Sequence, residues 1–147
     1  MTGRPSEFDQ EVADEICRRL VEGESLRKIV SDEEMPASST VFKWLNQQPD
    51  FAEQYARARE AQADTLADEI IDIADNTAND TIISEAGVEQ ANTEWITRSR
   101  LRVEARKWVA SKLKPKKYGD RTLLGSDPDN PLPSSVTVSF RQTDAAS

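Results

Sequence analysis

Histidine is absent, and cysteine is reduced to one residue, Cys17. The first absence removes the commonest general base and the commonest transition-metal ligand, so any enzymatic reading would rest on carboxylates, lysines and hydroxyls. The second excludes an intrachain disulfide and leaves a cysteine-based zinc site without ligands. Long apolar runs are missing as well: no stretch approaches the roughly 20 residues that span a bilayer. Met1 to Pro5 lacks the apolar core of a secretory signal, so the expected setting is cytoplasm. Glycine is scarce. Gly3, Gly23, Gly87, Gly119 and Gly125 never take the spacing of a Walker A loop, whose backbone amides cradle phosphates, and no ATP site is legible. No cofactor is expected.

What is present is charge, unevenly spread. The formal net charge is −8 over 147 residues, with 31% charged and 37% hydrophobic side chains, ordinary for a helical protein rich in exposed surface. Residues 1–48 carry −4, 49–92 carry −9, 93–121 carry +7 and 122–147 carry −2. An acidic segment is therefore expected beside a basic one, within the chain or between copies, unless the basic block faces nucleic acid. The length favours two small modules over one compact body.

Apolar spacing places helices along most of the chain. Asp9 caps a first helix bearing Val12, Ala13, Ile16, Cys17 and Leu20, which Gly23 ends. Ser25 caps a short second helix with Leu26, Ile29 and Val30. Pro36 interrupts, and Ser38 or Ser39 opens a third helix containing Val41, Phe42, Trp44 and Leu45. Three short helices in this order outline a helix-turn-helix module. Its third helix would offer Ser38, Ser39, Thr40 and Lys43 to the major groove, while Arg27, Lys28 and Arg4 reach the backbone. The alternative is that these are solvated polar positions on a helical packing module. With six basic residues in this region, one copy should bind DNA weakly and with strong salt dependence. Useful affinity would then need several copies.

Pro49 begins a long helix to about Asp75, with Phe51, Tyr55, Ala58, Leu66, Ile70 and Ile73 as its apolar stripe and Glu60, Asp64, Asp68 and Asp72 as an acidic one. Arg98, Arg102 and Arg106 have matching spacing on a second helix, Thr93 to Leu113, which also carries Leu101, Ala105, Trp108, Val109 and Leu113. A helical hairpin or an intersubunit helix pair follows, with residues 76–92 as a loose connector. Regularly spaced acids on a long helix are ordinarily a solvated or salt-bridged face, which weighs against a catalytic metal at Asp64, Asp68 and Asp72. Lys-Pro-Lys-Lys-Tyr at 114–118 ends the helix and gathers positive charge where the helix dipole favours it.

Residues 122–133 read as a proline-rich linker. A period-2 strand follows at 134–141, with Val136, Val138 and Phe140 on one face, and then a polar tail, 142–147, expected to be mobile. The strand finds no partner upstream in a chain that otherwise reads as all helix. Its amides and carbonyls need neighbours, and the economical source is the same strand in other copies. The expected architecture is mainly α: a helix-turn-helix at 1–48, a helical oligomerisation hairpin at 49–121, and one C-terminal strand in an intersubunit β-barrel. The expected oligomerisation residues are Phe51, Tyr55, Leu66, Ile70, Arg98, Leu101, Arg102 and Trp108, with Val136, Val138 and Phe140 in the strand.

Several stretches match a known pattern: Gly3-Arg-Pro-Ser, Gly23-Glu-Ser-Leu, Met35-Pro-x-x-Ser-Thr-Val-Phe-x-Trp-Leu45, Tyr55-Ala-x-Ala-Arg-Glu-Ala, Ile70-x-x-Ile-Ala-Asp75, Arg100-Leu-Arg-Val-x-x-Arg-Lys-Trp108 and Pro115-Lys-Lys-Tyr-Gly-Asp120. In this order and spacing, from Gly3 to Asp120, the chain resembles the small terminase subunit of tailed bacteriophages. The resemblance implies a non-enzymatic component of the genome-packaging motor in the host bacterial cytoplasm, absent from the mature virion. It implies a homo-oligomeric ring of roughly eight to ten copies, with outward helix-turn-helix modules and a barrel around the axis. Its implied partners are double-stranded viral DNA, whose packaging site it marks, and the large terminase subunit, which it recruits and whose ATPase and nuclease it regulates; the expected route to that subunit is the C-terminal region, although the resemblance does not carry over the residues that touch it. Competing readings are a helix-turn-helix transcription regulator or transposase-like DNA binder, a carboxylate-dependent nuclease and a ring adaptor without DNA affinity.

Overall fold

The computed structural model describes residues 3–120, in the order α1 (Gln10–Val21), α2 (Leu26–Ile29), α3 (Ser38–Gln47), α4 (Pro49–Asp75), β1 (Thr81–Ile83), β2 (Glu89–Ala91), α5 (Thr93–Leu113) and α6 (Pro115–Tyr118). Helix ends follow local chemistry. The Asp9 carboxylate accepts from the Glu11 amide at the start of α1, Ser25 Oγ from the Lys28 amide at α2, and Asn92 Oδ1 from the Trp95 amide at α5. At the end of α1, the Gly23 amide donates to Leu20 O and the Glu24 amide to Arg19 O, a Schellman closure. Gly23 has φ +99°, which favours glycine; a Cβ there would also meet Glu69 Oε1 at 2.9 Å, the end of a flexible side chain that would have to shift.

The first three helices close over Ala13, Ile16, Leu20, Ile29, Val41 and Trp44, and the same core runs on into α4 through Phe51 and Ala58. Trp44 stands edge-on to Phe8 at 5.3 Å between centroids and to Phe51 at 6.3 Å. Polar bonds tie α4 to the end of α1: Gln62 Nε2 donates to Glu24 O at 2.7 Å, and Thr65 Oγ1 to Val21 O at 2.6 Å. Helix α4 is thus a wall of the N-terminal module as well as half of a long antiparallel pair with α5. Only Gln48 separates it from α3.

Residues 76–92 differ from the loose connector expected. They hold a β-hairpin, with Thr81 opposite Ala91, Ile82 opposite Gln90 and Ile83 opposite Glu89. The Ser84–Val88 turn closes it: the Ser84 amide donates to Val88 O and the Gly87 amide to Ser84 O, each at 2.8 Å, with Gly87 at φ +74°. The signal was the pair of β-branched residues Ile82 and Ile83 before a glycine-containing turn. The chain upstream of residue 134 is therefore not all helix. The strand expected at 134–141, with Val136, Val138 and Phe140, lies outside the described residues.

Candidate nucleic-acid interface

Helix α3 buries Val41 and Trp44, three residues apart, and half-buries Leu45, which turns its other side outward. Ser38, Ser39 and Lys43 are exposed on that side, and Thr40 is half-buried. Phe42 joins them at 54% exposure. It was grouped with the apolar core above, but Val41, Trp44 and Leu45 already complete the buried i, i+3, i+4 set, and Phe42 falls outside it. Asn46 and Gln47 continue the exposed face. The face therefore presents hydroxyls and amides for base edges, an aromatic edge suited to thymine methyl groups, and one ammonium for phosphate.

The six basic residues of the module divide into two groups. Arg18 is held by Glu15 and Glu22, and Arg19 by Glu24 and Asp32, on the flanks of α1. Arg27 and Lys43 form no ion pair among the described residues, and Lys28 stands 4.0 Å from Glu24. Arg4 donates to Val30 O at 3.3 Å, pinning the N-terminal arm to the end of α2. The free cations thus lie on α2 and α3 and in the arm. The turn between α2 and α3 holds Asp32, Glu33 and Glu34, all exposed, beside the start of α3. Arg19 offsets only Asp32, so two carboxylates oppose phosphate at the edge of the candidate interface.

Within the chain, the ladder of Glu60, Asp64, Asp68 and Asp72 against Arg98, Arg102 and Arg106 does not form, which leaves only the pairing expected between copies. Arg106 instead donates to Glu69 at 2.6 Å, and Arg98 pairs weakly with Glu94 of its own helix at 3.5 Å. Asp64 accepts from Lys114 Nζ and Lys117 Nζ at 2.9 Å each and from the Tyr118 hydroxyl at 2.6 Å. The Tyr118 hydroxyl, followed by the two ammonium groups, holds the Asp64 carboxyl far below the usual carboxylate range. The helix does end before Pro115, and the Lys-Pro-Lys-Lys-Tyr run folds into α6, clasped to α4. Gly119 closes the clasp: its amide donates to Pro115 O at 2.9 Å, and a Cβ there would lie 2.5 Å from that oxygen.

The expected oligomerisation residues separate. Phe51 and Leu66 are buried within the chain and unavailable to a partner, because the N-terminal module and α5 cover that side of α4. Tyr55 and Ile70 are half-buried. Arg98, Arg102, Leu101 and Trp108 are exposed, the last two at 65% and 63%. Among the described residues no three His, Cys, Asp or Glu side chains are grouped to hold a metal ion, and no helix is long and apolar enough to cross a membrane.

Comparison with known proteins adds an independent line. Residues 8–125 match the family described as Bacteriophage Sf6, terminase small subunit-like. Three crystal structures of point-mutated forms of the terminase small subunit gp1 of the bacterial virus Sf6 superpose with a TM-score of 0.68 at 37% identity, covering 97% of this chain and 100% of theirs. No curated protein matches. A family match across most of the chain, joined to this fold, leads to one conclusion: the chain belongs to the Sf6-like family of bacteriophage terminase small subunits.

Proposed function

We propose that this small terminase subunit, whose family places it in phage genome packaging, marks viral DNA for packaging by laying α3 in the major groove. The observation that carries the reading is the outward face of α3, where Ser38, Ser39, Phe42 and Lys43 stand exposed on a helix fixed from behind by Trp44. Arg27 and Lys28 contact the phosphates from α2, and the Arg4 arm, held at Val30, contributes a third cation. Thr40 supports the first turn. One module with few free cations binds weakly, so several modules act together in a ring of roughly eight to ten copies, assembled through the exposed face of α5 and the segment 134–141, whose sequence alternates as a strand does. The protein itself carries out no catalysis. Its C-terminal region presents the ring to the large terminase subunit and regulates that subunit's ATPase and nuclease in the host cytoplasm.

Fluorescence anisotropy with duplex DNA tests the interface. Lys43→Ala and Arg27→Ala should each weaken binding and lower the slope of log affinity against log salt by about one. Equal affinity and slope in all three proteins would remove α3 from the interface. A dimer on a palindromic site, seen by native mass spectrometry, would favour a transcription regulator instead.

A further inference from the structure

The C-terminal half of α5 and the folded-back α6 leave a cleft beside α4 that the described residues do not fill. Its volume is about 400 Å³. Ala67 and Ile70 of α4 line one side, Glu104, Trp108 and Ser111 of α5 the other, and Tyr118 of α6 stands at one end. Trp108 is 63% exposed, and Ile70 is half-buried. The chain itself leads in. Gly119 leaves α6 with extended backbone, φ −76° and ψ 152°, and the next residue, Asp120, already lines the cleft. The residues that follow read Arg121-Thr-Leu-Leu-Gly125, an apolar pair ahead of the proline-rich run.

We infer that the occupant of this cleft is the chain's own segment 121–124, with Leu123 and Leu124 seated in it. The length agrees: from Ser111 to Glu104 the cleft follows about 10 Å of helix, and Thr122 to Leu124, extended, cover about the same distance. Side-chain direction agrees as well. Consecutive residues of an extended segment point to opposite sides, so one leucine meets Ala67 and Ile70 while the other meets Trp108, and apolar surface is removed from water on both walls. Attachment at Asp120 makes the contact intramolecular, which favours this segment over the same segment from elsewhere. The family match marks the same boundary, running past Asp120 to residue 125 and stopping before the proline-rich run. Docking fastens the C-terminal region to α4 and α5, so residues 126–147 leave every copy from one place. On the ring reading above, that place is a common origin for the segment 134–141, but the docking itself needs no second copy.

Iodide quenching of tryptophan emission in the full-length protein tests this. Trp44 is buried and Trp95 half-buried, so Trp108 is the tryptophan most open to the quencher. Leu123→Ser with Leu124→Ser should raise the quenching and shift emission to the red, and the same pair in a Trp108→Phe background should change neither. Equal quenching with and without the leucines would overturn the proposal. So would a gain seen only together with loss of assembly in sedimentation, because another copy would then be the cover on Trp108. Disulfide trapping identifies whose segment is seated, with Cys17 buried and out of reach. Ala67→Cys is combined in turn with Leu123→Cys, Leu124→Cys and Asp127→Cys. One of the two leucine positions should close an intrachain bridge about tenfold faster than position 127, since a bridge needs its Cα atoms within about 7 Å. Equal rates at all three positions would show a tether without a seat, and covalent multimers would seat a neighbour's segment; either result overturns the proposal. Wild-type protein sedimenting only as a monomer would overturn the ring reading alone, since quenching and the intrachain bridge are read in one chain.

Discussion

At the scale of single residues, Asp64 carries more contacts than its place in an acidic stripe suggests. Three donors from the 114–118 segment meet its carboxylate, and its pKa is held below the ordinary value, so its stabilising contribution has a defined pH range. The contribution is complete above the unfolded carboxylate pKa of about 3.9 and is lost as pH falls toward the depressed folded value. Urea titrations should therefore place the wild-type midpoint above that of Asp64→Asn at pH 7, with the gap closing below about pH 4. A gap that persists unchanged at pH 2 would contradict the clasp. Gly23 makes a second residue-scale prediction. Gly23→Ala forces a left-handed backbone onto an L side chain and presses on Glu69, and should lower stability by about 1–2 kcal/mol in the same assay. The capping roles of Asp9 and Ser25 and the helix-ending role of Gly23 were legible because each acts on residues a few positions away. The Asp64 clasp was not, because its partners lie 50–54 residues along the chain and only the antiparallel return of α5 brings them back.

At the scale of elements, α3 and the turn before it act in opposite senses on DNA. Phe42→Ala should weaken binding to the preferred site by about 1 kcal/mol, several-fold in Kd, and relax preference for a thymine beneath it, while circular dichroism stays unchanged. Unaltered affinity and preference across a set of site variants would exclude Phe42 from base contact. Glu33→Gln with Glu34→Gln should strengthen binding by about 1 kcal/mol or less at low salt, with the gain shrinking as salt rises, read by anisotropy across a salt series. The hairpin of β1 and β2 shows where pattern reading stopped short. Its strands are three residues each and exposed on both faces, so there is no alternation of apolar and polar side chains to detect. Its turn and strand pairing, rather than a buried face, define it.

At the scale of the whole molecule, the proposed assembly makes DNA affinity a collective property. A variant confined to monomers by Leu101→Asp and Trp108→Asp should keep its helical content, since both residues are exposed, yet lose most of its affinity for long duplexes. Sedimentation and anisotropy on the same samples check this, and undiminished affinity in a monomer would refute multivalent docking. The sequence by itself determined α1 to α5, the caps at Asp9 and Ser25, the segregation of acidic and basic blocks and the helix-turn-helix outline, because each rests on spacings of a few residues and on local backbone chemistry; α6 and the Asn92 cap were not read from it. Only the tertiary structure decided that α4 is a wall of the N-terminal core, that Phe51 and Leu66 are enclosed while Leu101 and Trp108 stand open, and which acids meet which bases. The physical reason is that burial and ion pairing between distant segments depend on how one helix is rotated against another, and an apolar stripe read along the chain does not say which neighbour covers it.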